Sequence, residues 1–334
     1  MTSAEFVGPR NARTIAFVAA FTGAIGLGWP MATHAQNYPA TVVKIVVPFP
    51  GGGPLDFTAR LLADRLAARL KQPFIVENRP GASGNIGTEA AARAAPDGYT
   101  LLFVLDTPLT VHPVLYKKLP FDPEQDLTPI SIVASFSQML VVHPSVAARS
   151  VAEFVALAKA RPITYGSGGG RGDPGHLTME YFRLQAGFEA THVPYKGNAQ
   201  VVTDLVSGQV QAGFVATPGV LQHAKEGRLK GLAVSSAQRT PGAPDIPTIA
   251  ESGYPGFEVG FYQVMLAPRG IPDSIASYLE REVQQAMKSP DVQARLRAQE
   301  LDPIGGTAAE AKAQLKTIAQ RWREVITAAH IQID

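Results

Sequence analysis

The residues VVKIVVP (42–48) are followed at once by FPGGGPLD (49–56), and this junction decides the fold. The first run is short, apolar and β-branched, which predicts a buried strand. The second contains three glycines and leads into residues 55–70, where leucines recur near helical spacing. A buried strand that turns through glycines into an amphipathic helix predicts an α/β fold with a mostly parallel sheet covered by helices.

The same alternation continues along the chain and then restarts. Two αβ cycles of similar size predict two similar lobes, and long excursions near residues 135–145 and 255–262 are typical of crossings between them. We therefore expect lobe 1 to comprise residues 36–140 plus 260–334, with lobe 2, residues 141–259, inserted in it. The predicted strands are 42–48, 74–77, 99–105, 130–134, 139–143, 163–165, 191–194, 212–216, 229–234 and 261–268.

Composition excludes several classes of protein. The 334 residues predict two domains. The formal net charge of +2 is too small and too dispersed for a nucleic-acid binder. The chain has no Cys, which excludes a disulfide scaffold, a thiolate metal site and a Cys nucleophile. The histidines show no metal-ligand spacing such as H-E-x-x-H, so we expect no metal, no cofactor and no catalytic residue.

The N-terminal segment has the pattern of an export signal. Basic residues Arg10 and Arg13 precede an uncharged apolar run over residues 14–29, and small residues lead to a possible cleavage after Ala35. The alternative is a short membrane anchor, but the run is shorter than the roughly 20 residues that span a bilayer. We predict a signal peptide over residues 1–35. Because the two arginines are not adjacent, we expect the Sec type, with the mature chain in a bacterial periplasm.

Three glycine-rich loops each join a predicted strand to a predicted helix, over residues 48–56, 77–87 and 165–176. Glycines free backbone N–H groups to point at an anion, and a helix start adds a positive dipole end. The third loop contains a G-x-G-x-x-G pattern from Gly170, but Pro174 lies inside it, which argues against a dinucleotide. The loops instead predict a site for a small carboxylate.

Two side chains in these loops have two interpretations each. Asp56 either caps the following helix or contacts a donor group of the ligand. Arg171 either pairs with a ligand carboxylate or is a solvated loop residue. A rival hypothesis for the whole protein is a secreted hydrolase on an α/β fold that uses Ser83 or Ser167 with a His.

The chain resembles the substrate-binding receptors of tripartite tricarboxylate transporters, also called Bug-type receptors, from about Tyr38 to Gln332. Each matching stretch is short, but their order and spacing together are specific. They are VPFPGGGPLDFTAR (47–60), VENRPGASGNIG (76–87), DGYTLL (97–102), YKKLPFD (116–122), DLTPI (126–130), HVPYKG (192–197), PTIAESG (247–253) and FYQVMLAP (261–268).

The resemblance implies a type II-like, two-lobed periplasmic binding protein that is not an enzyme. It would trap a small carboxylate (a dicarboxylate, a tricarboxylate or an aromatic acid) in the interlobe cleft. It would then deliver this ligand, as a monomer, to a permease with a large and a small membrane subunit. The sequence departs from the family where Asp173 replaces a neutral hydroxyl and where Gly51 replaces a common Pro. The implied binding residues are Gly52, Gly53, Asp56, Asp106, Thr107, Ser167, Gly168, Gly170, Pro194, Tyr195 and Lys196. Arg171, with the two interpretations given above, completes the set of candidate binding residues.

Overall fold

The structure is a computed structural model that describes residues 38–168 and 170–331. The predicted signal peptide lies outside these residues. The described residues belong to one compact unit of the chain. The lobe boundaries proposed within it stay a prediction.

Ten strands and twelve helices form the described part of the chain, and their order follows the predicted alternation. The strands are β1 (Val43–Val47), β2 (Phe74–Asn78), β3 (Thr100–Leu105), β4 (Leu127–Val142), β5 (Ile163–Ser167), β6 (Ala190–Pro194), β7 (Ala212–Ala216), β8 (Lys230–Val234), β9 (Gly260–Pro268) and β10 (Asp302–Pro303). The helices are α1 (Pro54–Leu70), α2 (Asn85–Ala92), α3 (Thr107–Thr110), α4 (His112–Leu115), α5 (Pro123–Asp126), α6 (Val151–Ala160), α7 (Pro174–Ala186), α8 (Asn198–Val206), α9 (Thr217–Lys225), α10 (Asp273–Met287), α11 (Pro290–Arg297) and α12 (Ala308–Ala328).

The strands form a mixed sheet in the order β2-β1-β3-β9-β4-β7-β5-β6, and β8 and β10 also pair with β4. Pairing is parallel between β1 and both β2 and β3, and between β5 and both β6 and β7. The pairs that involve β4 or β9 are antiparallel. The predicted α/β class is therefore confirmed, with two parallel groups joined through long antiparallel strands.

One strand differs from its prediction. Residues 130–134 and 139–143 were expected to form two strands, but β4 runs without a break through the polar residues between them. Thr217 Oγ1 donates to the Ser137 carbonyl at 3.0 Å, and the Gln138 N–H donates to Ser235 Oγ at 2.9 Å. These bonds come from distant parts of the chain. They satisfy the polar stretch inside the sheet, so a local pattern of polar letters was misleading.

Helices cover the sheet, and α12 illustrates how the packing is achieved. Thr307 and Glu310 form a reciprocal capping box that starts this helix. Trp322, only 2% exposed, stacks on Phe261 of β9 with ring centroids 5.8 Å apart. The C-terminal helix is thereby fixed to the central strands of the sheet.

Candidate functional site

A cavity of about 520 Å³ lies at the carboxyl ends of the parallel strands. In open α/β sheets, ligands bind in this position. Its wall combines the loop after β1 and the start of α3 with the loops after β5 and β6, so the two parallel groups both contribute. The residues in the wall are Phe49, Pro50, Gly51, Gly52, Gly53, Pro54, Leu55, Ser83, Leu105, Thr107, His112, Phe136, Gln138, Gly168, Gly172, Asp173, Pro174, Gly175, Lys196, Gly197, Asn198, Ala199, Ala216 and Gln263.

Three helices have both their N-cap residue and their first residue in the wall of this cavity. α1 begins at Pro54, α7 at Pro174 and α8 at Asn198, and the residues that precede each start also line the cavity. A helix N-terminus presents unpaired N–H groups and the positive end of the helix dipole. Lys196 adds a side-chain cation beside the start of α8. This wall is therefore suited to hold an anion.

Asp173 caps α7 rather than presenting both carboxylate oxygens to the cavity. Its Oδ1 accepts the N–H of His176 at 2.8 Å. Asp173 is therefore the N-cap residue of α7. The hydrogen bond from the His176 N–H offsets part of the negative charge of Asp173 that would otherwise repel a carboxylate ligand.

Asp56 is the anchor of the first glycine loop. The carboxylate accepts the N–H of Gly52 at 2.9 Å, Arg60 Nε at 2.9 Å and Asn78 Nδ2 at 2.9 Å. Burial raises the pKa of Asp56, but the hydrogen bonds from Arg60, Gly52 and Asn78 outweigh burial and hold the pKa below its usual value. Asp56 lies in the first turn of α1, and Gly53 is the N-cap residue. The Asp56 side chain therefore links the first glycine loop, α1 and β2 from behind the cavity wall.

We expect Asp56→Ala to weaken ligand binding by about tenfold and to lower stability by about 1–3 kcal/mol. The reason is that Gly52, with a φ of 86°, loses the hydrogen bond that holds it in place. Asp64→Ala, an exposed acid on the same helix, is the matched control and is expected to change neither quantity. Isothermal titration with a carboxylic acid that the native protein binds measures the affinity, and thermal unfolding measures the stability. Equal affinity of Asp56→Ala and the native protein would remove the anchoring role.

The residues that follow β5 line two different cavities. Gly168 lines the large cavity. Arg171 instead lines a separate cavity of about 160 Å³ with His176, Glu180 and His192. Ser167 is fully buried, with its Oγ 2.7 Å from His192 Nε2 and 3.2 Å from the Gly170 carbonyl oxygen. The loop thus turns only part of its length toward the large cavity.

The Ser167–His192 pair does not have the geometry of a nucleophile and its base. Because the Ser167 hydroxyl donates to the Gly170 carbonyl, its oxygen is left to accept from His192 Nε2. Burial, aided by His176, lowers the pKa of His192 to about 3. Ser167 also lines neither the large cavity nor the smaller cavity beside Arg171, so a substrate in either would not reach its hydroxyl.

Of the predicted binding residues, the structure brings five into the wall of the large cavity. These are Gly52, Gly53, Thr107, Gly168 and Lys196. In the described part of the chain, the other predicted residues contribute to neighbouring structure. Asp106 Oδ1 accepts the N–H of Tyr262 at 3.0 Å, and Tyr195 Oη donates to Asp204 at 2.6 Å. Pro194 ends β6. The roles of Asp56, Asp106, Ser167, Gly170, Arg171, Pro194 and Tyr195 toward a ligand stay predictions.

Sequence reasoning missed the inner wall of the cavity. Gln138, Gln263 and His112 line it together with Phe136. A usable signal was present, because Gln263 is a polar residue inside the apolar run FYQVMLAP (261–268). A polar side chain on the buried face of a strand requires a partner or a function.

Within residues 38–168 and 170–331, no group of three or more His, Asp or Glu side chains is arranged to hold a metal ion. Over the same ranges, no helix has the length and apolarity needed to cross a membrane.

A mixed α/β sheet with glycine loops and helix starts around one cavity defines the class of periplasmic-type solute-binding proteins. Residues 58–331 match the TctC family, "Tripartite tricarboxylate transporter family receptor". The chain belongs to this family of receptors.

Relatives agree over nearly the whole chain. Protein BugT of Bordetella pertussis is 36% identical over 317 residues, which cover 94% of this chain and 96% of BugT. A structure of Rhodopseudomonas palustris Rpa4515 with adipate is 34% identical with a TM-score of 0.81, and covers 88% of this chain and 99% of that one. MatC from the same organism, with bound malate, is 28% identical with a TM-score of 0.77 and coverages of 86% and 100%. The family to which the chain belongs consists of transporter receptors and not of enzymes, which removes the hydrolase hypothesis.

Proposed function

We propose that this chain is a periplasmic receptor that binds a small carboxylate and delivers it to a tripartite tricarboxylate transporter with a large and a small membrane subunit. The observation that carries the proposal is the cavity of about 520 Å³ into which three helix N-termini and Lys196 converge. Its volume lies in the range of about 300–1,000 Å³ that is usual for small-molecule sites.

The bound ligands of the relatives support a carboxylate. Rpa4515 is bound to adipate and MatC to malate, and both structures align with more than four-fifths of this chain. The same class of ligand suits a wall made of backbone N–H groups, because several N–H donors can surround each carboxylate oxygen. Gly52, Gly53, Gly168, Thr107 and Lys196 are the residues we assign to direct contact.

Binding would act on the position of the two halves of the cavity wall. Gly52 and Thr107 belong to the first parallel group of strands, whereas Gly168 and Lys196 belong to the second. A ligand that touches both halves binds the closed form better than the open form and therefore shifts the population toward closure. The closed, loaded form is the one that the membrane subunits would recognise.

A thermal-shift screen tests the proposal. At about 100 times its dissociation constant, a ligand adds roughly 2.7 kcal/mol to the free energy of unfolding. We expect such a shift with at least one small carboxylate, and a smaller shift with the same acid for Lys196→Met, which removes the cation but keeps the length of the side chain. If no dicarboxylate, tricarboxylate, aromatic acid or hydroxy acid shifts the unfolding temperature, the proposal is wrong.

A further inference from the structure

The inner wall of the cavity is one face of the central sheet. Gln263 of β9 lies opposite Leu105 of β3 and Ala134 of β4, and paired residues share a face of a sheet. Alternation along β4 places Phe136 and Gln138 on the same face as Ala134. Leu105, Phe136, Gln138 and Gln263 all line the cavity. Two amides thus lie among apolar side chains at its inner end.

Gln263 has no partner for its amide among the described residues. The side chain is fully buried, and neither Nε2 nor Oε1 makes a hydrogen bond to residues 38–168 or 170–331. A buried polar group left in this state costs about 1–3 kcal/mol. An apolar residue would fit the neighbouring side chains of this strand face at no such cost. A ligand that bonds to the amide accounts for a Gln at this position.

His112 adds a hydrogen-bond acceptor to the same wall. Its Nδ1 lies 2.6 Å from Asn85 Oδ1, and because that oxygen accepts, Nδ1 carries the proton. The other ring nitrogen, Nε2, then has a lone pair and requires a donor. Burial lowers the pKa of His112 to about 4, so the ring is neutral at neutral pH. The wall here offers a neutral acceptor rather than a cation.

The charges of the cavity are unevenly placed. Among the described residues in its wall, Lys196 is the only Lys or Arg, and it lies beside the helix starts rather than on the sheet face. The helix starts and Lys196 can therefore stabilise a carboxylate at their end of the cavity. A second carboxylate at the inner end would lose its hydration water and would face two neutral amides and the lone pair of His112 instead of a cation.

We infer that the ligand is an acid with a single carboxylate and, at its other end, an uncharged group that both donates and accepts hydrogen bonds, a hydroxyl or a carboxamide, recognised by Gln263 with Gln138 and His112. The inference rests on the proposed function, since it assigns the charged end of the ligand to the helix starts. Gln263 is the specificity-determining residue of the site. Its amide can donate to and accept from the same group, and His112 Nε2 accepts from it.

Matched ligands test the inference. Succinate, glutarate and adipate are each compared with their monoamide, their ω-hydroxy acid and the plain monocarboxylic acid of the same chain length, by isothermal titration. We expect the best monoamide or hydroxy acid to bind at least about tenfold tighter than both the diacid and the plain acid of its series, because a site built for a hydrogen bond rejects partners that cannot make it. Binding of the diacid as tight as or tighter than that of its monoamide and hydroxy acid in every series would overturn the inference and leave the proposed function intact. Failure of all these acids to bind would overturn the inference, and the wider thermal-shift screen then decides whether the proposed function stands.

Substitution of Gln263 separates recognition from structure. Gln263→Leu keeps the size of the side chain and removes its hydrogen bonds. We expect it to abolish the preference for the monoamide or hydroxy acid over the plain acid, while the ligand-free protein unfolds at a higher temperature because an unpaired buried amide is gone. Gln211→Leu is the matched control. The Gln211 side chain accepts from the Thr164 N–H at 3.0 Å outside the cavity wall, so its loss should lower stability and leave the ligand order unchanged. A Gln263→Leu protein that keeps the native ligand order would overturn the assignment.

Discussion

Gly168→Ala is expected to lower ligand affinity by about a hundredfold or more. A Cβ on Gly168 would lie 2.7 Å from the backbone nitrogen and 2.8 Å from the Cα of Asn198, and would overlap the side-chain oxygen of the same residue. Because two of these atoms belong to the main chain, a change of rotamer cannot relieve the contact. The loop after β5 and the first turn of α8 must move apart, and both line the cavity. A misplacement of about 1 Å can cost an enzyme about a hundredfold in rate, and we expect a loss of affinity of similar size here.

Gly197→Ala is the control for this prediction. Gly197 lines the same cavity, but its Cβ would meet no atom within 4 Å and its φ of −172° is extended backbone. We expect this variant to bind the ligand nearly as well as the native protein does. For Gly168→Ala, thermal unfolding should show a folded protein that is less stable by about 1–3 kcal/mol, as for other overpacked positions. Native-like affinity in Gly168→Ala would show that the two loops do not need their close approach.

Ionisation of Asp106 is expected to lower the free energy of unfolding of the native protein by about 4 kcal/mol, and Asp106→Asn is expected to abolish this pH-dependent loss. Asp106 is fully buried, its Oδ1 accepts from the Tyr262 N–H, and its Oδ2 has no partner among the described residues. Burial raises the pKa of Asp106 to about 7, against the hydrogen bonds from the backbone of Tyr262 and of Asp106 itself. Each unit of pKa change corresponds to about 1.4 kcal/mol.

The sign follows from the protons bound in each state. Between the ordinary pKa of an Asp and about 7, the folded protein keeps a proton on Asp106 that the unfolded chain has released. Stability therefore falls as the pH rises through this range, and the full loss is present above about pH 7. An Asn keeps the bond to Tyr262 and stays neutral, so the variant should be the more stable protein at about pH 8 and nearly equal at about pH 4.

Unfolding of both proteins by denaturant, across this pH range and without ligand, provides the measurement. Buried His112, with its pKa lowered to about 4, makes the stability of both proteins rise with pH, which opposes the effect of Asp106. The difference in stability between the two proteins is therefore the informative quantity. A difference that does not vary with pH would show that Asp106 stays ionised in the folded protein.

Local order was predictable from the sequence because it depends on neighbours along the chain. The β-branched run before the first glycine loop forms β1, and the leucine-spaced segment after it forms α1. The second cycle behaves in the same way, with β5 leading into α7 and β6 into α8. Glycines and prolines at these junctions restrict the backbone locally, so the strand-to-helix turns follow from composition and spacing alone.

The site was predictable only in outline. Strand ends and helix starts predict an anion site, and Gly52, Gly53, Thr107, Gly168 and Lys196 line one cavity. The direction of each side chain depends on packing against distant residues. Asp56 is held behind the wall by Asn78 of β2, and Ser167 is held by His192 of β6. Such contacts leave no periodic trace in the sequence.

By itself, then, the sequence determined the α/β class, the two cycles of strands and helices, and the glycine loops that suit a carboxylate. Only the tertiary structure decided that β4 is one strand, that Arg171 faces a different cavity from Gly168, and that Gln263 on the inner wall has no partner among the described residues. The physical reason is that backbone preference and hydrophobic period are local quantities. Burial, pairing across the sheet and the hydrogen-bond partners of a side chain are set by residues far away along the chain.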